Sequence, residues 1–239
     1  MKKLMALLII MLFPFFVFAK EYEENNIRVK LDVNDEFMVF TRDNLDDNQD
    51  LIKLGLTKDK MLDIMAKGGI YFDIVKEDIS SEILVVVPDV TLPISNLTGV
   101  STDLLDSFRD EAANKVGASI SSTYKNNYDF IVVDYYDKNM NYYIVNYYTV
   151  VNSKGYNFQI QKKVEINETD RENLKKIVDS VVFLDFDAKK STNSDININN
   201  KTYKKPFDYK IIIYGAVIGA LVGLVTYYVS MYFKKKSSK

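Results

Sequence analysis

Residues 128–164 read YDFIVVDYYDKNMNYYIVNYYTVVNSKGYNFQIQKKV, and their pattern decides the fold class. Three apolar, tyrosine-rich runs, at about 128–136, 142–151 and 156–164, are separated by Asp137-Lys138-Asn139 and by Asn152-Ser153-Lys154-Gly155. β-Branched and aromatic runs of this length, punctuated by Asn, Asp, Ser and Gly, are strands, and the second connection carries a hairpin signal. Adjacent residues on a strand point to opposite faces. One tyrosine of each neighbouring pair can therefore enter the core while the other meets solvent or a covering helix. Tyr135, Tyr136, Tyr142, Tyr143, Tyr147 and Tyr148 are accordingly candidate interaction residues, since exposed tyrosine offers contact area at low entropic cost. The plainer alternative is that tyrosine favours strands.

Working outward, Ile27-Val29-Leu31 alternates as a strand, and Phe37 to Phe40 reads as its neighbour. Thr57 is an N-cap for a helix at 58–67, with Met61, Ile64 and Met65 on one face and Gly68 as its stop. Residues 71–75 and 83–87 form two more strands. Ser101 or Thr102 caps a second helix that Gly117 closes, with Leu104, Leu105 and Phe108 on one face. Asn167 or Thr169 starts a last helix over 171–182. Strands mixed with well-separated helices predict an α+β class, an antiparallel sheet flanked by helices.

The closing segment Leu174-Lys175-Lys176-Ile177-Val178-Asp179-Ser180-Val181-Val182-Phe183 and the early Asp35-Glu36-Phe37-Met38-Val39-Phe40-Thr41-Arg42, in this element order, resemble the PsbP-like fold. The resemblance covers about residues 25–186. It implies a domain that docks on a larger partner, usually without catalysis, and it transfers no functional residue. The metal-binding histidines of some photosystem members have no counterpart, because this chain has no histidine.

Composition narrows the chemistry further. The 239 residues contain no Cys, His or Trp. Disulfides, thiolate metal sites, cysteine nucleophiles and the usual neutral-pH proton shuttle are excluded. The net charge of −2 hides an asymmetry, since residues 20–187 hold 19 Lys+Arg against 31 Asp+Glu, a net −12. An acidic domain is repelled by phosphate backbones, so nucleic acid is not an expected partner.

The two ends predict export and a membrane anchor. Lys2 and Lys3, the apolar stretch Leu4–Phe18 and Val17-Phe18-Ala19 read as a signal peptide over 1–19, with an uncleaved anchor as the alternative. Residues 211–233 are free of charge and span ~35 Å as a helix, enough for a transmembrane crossing. Lys234-Lys235-Lys236 opens a basic tail over 234–239, placed in the cytoplasm. Residues 188–210 are a polar, Asn-rich linker. The domain at 20–187 is thus expected outside the cell membrane on a single-pass tether. Gly215, Gly219 and Gly223 form a small-residue ridge suited to helix pairing, hence to a homodimer.

Candidate sites inside the domain are thin. Asp43, Asp46, Asp47 and Asp50 offer oxygens to calcium, but the run lacks the EF-hand spacing and fits a solvated loop. Asp134 and Asp137 bracket Tyr135-Tyr136, with nothing to fix their separation. Asn96, Asn167 and Asn200 head glycosylation sequons of the kind an Asn-rich chain produces by chance, and heavy Lys, Ile and Asn usage points to a bacterium. No catalytic, cofactor-binding or metal-ligating residue is assigned. The expected role is a tethered binding or accessory module docking on an envelope protein; the alternative is a carboxylate enzyme acting on wall or extracellular material.

Overall fold

A computed structural model of the chain describes residues 19–187, apart from Asp47 and Pro93. The predicted signal segment except Ala19, the linker, the membrane span with Gly215, Gly219 and Gly223, and the tail lie outside the described residues. Among the described residues no helix is long and apolar enough to cross a membrane.

The elements run β1 (Ala19–Glu24), β2 (Val29–Asn34), β3 (Phe37–Thr41), α1 (Gln49–Lys53), α2 (Lys58–Gly68), β4 (Ile70–Lys76), β5 (Glu82–Val86), α3 (Thr102–Val116), β6 (Ile120–Lys125), β7 (Asp129–Asp137), β8 (Tyr142–Val151), β9 (Lys154–Lys162), α4 (Glu168–Ser180) and β10 (Val182–Phe183). Seven strands form one antiparallel sheet in the order β3-β4-β5-β9-β8-β7-β6, and β1-β2-β10 form a second. The α+β class expected from the sequence is the class found.

Both faces of the large sheet are covered. On one, β2 and α4 meet Phe72, Ile74, Phe158 and Ile160 through Val29, Leu31, Val33, Leu174, Ile177 and Val178. On the other there are two separate covers. α1 and α2 bring Leu51, Met61, Ile64 and Met65 onto Met38, Phe40, Leu84 and Val86. α3 and the segment before it bring Leu92, Leu97 and Phe108 onto Ile131, Val133, Tyr148 and Val150. Each such large side chain contributes roughly 1.5–3 kcal/mol on burial.

Local signals explain the boundaries. Thr57 accepts the Lys60 amide at the start of α2. The helix ends one residue later than expected, at Gly69, whose φ of 62° completes the left-handed cap. Gly68 is still helical, so the correction is a choice between adjacent glycines. Asn167, not Thr169, caps α4, forming a reciprocal box with Asp170. In the β8–β9 hairpin Val151 pairs with Lys154, leaving Asn152 and Ser153 as a two-residue turn with φ of 50° and 62°. Gly155 is needed for packing instead: a Cβ there would sit 2.9 Å from the Tyr148 hydroxyl.

The sheet has two distinct ends. The β8–β9 turn lies at one, where Asn152 Nδ2 donates to the Asp185 carbonyl (2.8 Å) and Asn96 Nδ2 to that of Asp187 (3.3 Å). The chain leaves the described domain there. The β2–β3 and β4–β5 turns lie at the other, joined by the Glu77 amide donating to the Glu36 carbonyl at 3.1 Å.

Candidate functional site

The site is built where β9 runs between the two covers. Asn157, Gln159 and Gln161 alternate with Phe158 and Ile160, so they share the face that α1–α2 and α3 cover in part. Register brings more polar groups beside them. Glu82 lies opposite Gln161, Asn146 opposite Gln159, and Leu84 pairs with both Gln159 and Asp73. The result is a polar strip of Asp73, Glu82, Gln161, Gln159, Asn157 and Asn146, every member at most 1% exposed.

Within the strip Gln161 Nε2 donates to Glu82 Oε2, and Asn146 Nδ2 donates to Asn157 Oδ1 at 2.9 Å. Gln161 Oε1 is buried without a hydrogen-bond partner. Asp73 finds no hydrogen-bond partner apart from the adjacent Glu82 carboxyl. Burial first, and the Glu82 charge second, hold the Asp73 carboxyl well above the usual carboxylate range. Two adjacent carboxyls in such a place cannot both be ionised, so a proton stays on the pair.

The strip opens at the end of the sheet away from Asp187. There the β4–β5 turn, the start of β8 and the end of β9 enclose a cleft of about 340 Å³. It is lined by Ile79, Ser80 and Ser81, by Tyr142 and Gln161, and by Lys162, Lys163 and Val164. Val164 is 62% exposed. Ile79 sits at φ 60°, a region a β-branched residue rarely adopts. Its side chain packs against the α1–α2 cluster, which offsets that strain. Lys162 is itself mostly buried and pairs with Asp170 at 2.6 Å. A second hollow, of about 60 Å³ between Ile27, Val151, Tyr156 and Phe183, lies at the opposite end and holds little more than water.

The six candidate tyrosines separate by face. Tyr135, Tyr142 and Tyr148 are buried against α3, with Tyr142 also reaching the cleft. Tyr143 and Tyr147 are half-buried on the α4 face, where Tyr147 meets Tyr124 edge-on at 5.6 Å. Tyr136 is the exposed member, at 39%, and its hydroxyl donates to Asn141. A continuous contact stripe therefore shrinks to Tyr136 with the partly covered Tyr143 beside it, ring centroids 4.8 Å apart.

The acidic candidates serve the fold. Asp134 binds Arg171 of α4, while Asp137 Oδ1 accepts the Asn139 and Met140 amides in its turn. Asp46 pairs with Lys58 and Asp50 with Lys53. Among the described residues no group of three or more acidic, His or Cys side chains could hold a metal ion. Asp73, Glu82 and Gln161 escaped sequence reading because a polar–apolar alternation ordinarily means one face in water.

No family model matches the chain, and no curated protein matches it. Among solved structures it is similar to the solution structure of cyanobacterial PsbP from Synechocystis sp. PCC 6803. Identity is 9%, the match covers 70% of this chain and 94% of that one, and the TM-score is 0.42. The likeness assigns no residue, ligand or partner to this chain.

Proposed function

We propose that this chain is a membrane-tethered extracytoplasmic binding module that docks on an envelope protein through the cleft beside Ile79 and Val164. The observation that carries this reading is placement. The cleft occupies the end of the sheet opposite the point where residue 187 leaves the domain, so a tether continuing from there presents it outward. The volume is at the small end for ligand sites and is open, which suits an inserted side chain better than a polymer. The exposed Val164 supplies apolar area of the kind interfaces bury. A carboxylate enzyme is the weaker reading: Asp73 and Glu82 do sit together, yet neither reaches solvent where a wall polymer would lie.

The test is a pull-down from envelope extract that retains wall polymers and membrane proteins, with wild type and Val164→Asp as baits. A stoichiometric partner bound by wild type and lost by a folded Val164→Asp is the expected result. Equal capture by both baits would move the contact off the cleft, and capture of no protein would end the docking reading.

A further inference from the structure

We propose that the outer edge of β6 is a docking strand, onto which an extended, lysine-bearing segment of a partner protein adds as an eighth strand of the large sheet. This surface is separate from the cleft, because β7 stands between β6 and the strand whose start the cleft uses. It holds or fails independently of the reading above. Among the described residues four strands end the two sheets, and they differ in how the outer edge is protected. β10 is only two residues long, and no residue of β3 is more than 7% exposed. β1 carries Lys20, Glu21 and Glu23, charges that oppose the addition of a strand. β6 lacks all of these devices over its middle, where Ser121, Ser122 and Thr123 are small and uncharged. Its six-residue ladder to β7 runs without a bulge, and among the described residues it pairs with β7 alone. Such an edge offers a row of backbone donors and acceptors to another chain.

The two faces beside that edge decide which chain fits. Tyr124 meets Tyr147 edge-on and donates to Asp179 of α4, so by alternation Ile120 and Ser122 lie on the α4 face as well. Ile120 is 60% exposed there, apolar area that a side chain of an added strand would cover. Ser121 and Thr123 lie on the opposite face, along which α3 packs. α3 carries Asp103, Asp106, Asp110 and Glu111 against Arg109 and Lys115, and Arg109 is taken up by Asp106 and Asp110. A strand beside β6 thus meets apolar surface on one face and net negative charge on the other, which suits a segment alternating apolar and basic residues. The charge of −12 over residues 20–187 draws such a segment in from a distance. The same charge opposes a second copy of this chain, whose own α3 would come to the same seam. Two-fold pairing of β6 with itself also runs the strands antiparallel, which turns the two exit ends in opposite directions and away from a shared membrane.

The test uses the full-length protein in a non-ionic detergent, with anisotropy of a labelled peptide and amide hydrogen exchange over residues 120–125 as readouts. The probes are capped peptides of three Lys-Val, three Glu-Val or three Lys-Pro repeats. The last keeps the charge but loses the valine donors and the strand geometry. The Lys-Val peptide is expected to bind with a Kd on the order of 100 μM, as suits one short added strand, and to slow exchange across β6. Glu-Val and Lys-Pro peptides should bind more weakly by about tenfold or more and leave exchange unchanged. Ser122→Lys sets a like charge in the middle of the edge and should weaken the Lys-Val peptide by about tenfold, whereas Val164→Asp in the cleft should leave it unchanged. Should Ser122→Lys fail to fold, Thr123→Lys, at an equally exposed position, is expected to show the same loss. Equal binding of Lys-Val and Lys-Pro would reduce the site to charge attraction and overturn the added strand. Equal binding of Glu-Val, indifference to the lysine variant, or no binding by any probe also overturns it. So does protection of residues 120–125 that grows with protein concentration in the absence of peptide, which would make a second copy the occupant.

Discussion

Asp73 is a carboxyl placed where a carboxylate cannot be comfortable. It lies between Phe40 and Leu84 on the face that α1 and α2 cover, and its one hydrogen-bond neighbour is another carboxyl. Its folded-state pKa lies above the unfolded value of about 3.9, so folding takes up a proton over the interval between the two. Stability from this group is then fully present below about pH 4 and is lost as pH rises through the raised folded pKa. Asn at this position has the same shape, carries no proton to lose and can donate to Glu82. Asp73→Asn is therefore expected to equal wild type near pH 4 and to exceed it at pH 8, the gap widening as pH rises. Urea unfolding at the two pH values measures the difference. A gap that does not widen between pH 4 and pH 8 would show that Asp73 is not where the proton resides.

At the scale of elements, the β8–β9 hairpin shows what a turn asks of its residues. Asn152 and Ser153 both occupy the left-handed region, as a turn with the strands' own twist requires. Asn accepts this readily, whereas Ser does so against the steric cost of its Cβ. The amide and carbonyl of Ser153 bond to the Ser95 carbonyl and the Leu92 amide, and glycine would keep both. Ser153→Gly is expected to raise stability by up to about 1 kcal/mol, read as a higher urea midpoint at unchanged m-value. A lower midpoint would mean that the serine side chain contributes more than its backbone strain costs. Elements with a buried face, such as β7, β8, α2 and α4, were legible because burial writes a period into the sequence. β1 was missed because Lys20, Glu21 and Glu23 on an outer strand leave no apolar alternation. β6, with Ser121, Ser122 and Thr123 at the open edge of the sheet, was missed for the same reason. α1, only five residues long, lay hidden in the Asp-rich stretch that read as a loop.

For the whole molecule, the sequence carries only expectations for the two ends, which lie outside the described residues, and it carried no sign of the cleft. The expected signal peptide, linker and membrane span rest on local runs of one composition, and local runs are what a sequence displays. The cleft joins a turn near residue 79, a strand start at 142 and the segment just past a strand end at 162, whose meeting depends on strand order. Strand order also fixes which end of the domain each terminus leaves. Ala19 pairs with Asn34 at the cleft end, whereas Phe183 pairs with Val29 at the end where residue 187 departs. The two exits are separated by the length of β2, roughly 17 Å at 3.3 Å per residue. An apolar segment still attached at Ala19 and lodged in the bilayer would draw the cleft end toward the lipid and close off the docking face. Presentation of the cleft thus requires cleavage, and the mature protein is expected to begin at Lys20, as intact-mass measurement of membrane-purified protein would show. Ala19→Leu replaces the small residue that cleavage needs with one that the exposed first position of β1 tolerates. The uncleaved variant should fold and reach the membrane, yet lose the partner that wild type captures. Retention of that partner by a demonstrably uncleaved chain would mean that the cleft end does not face the docking partner.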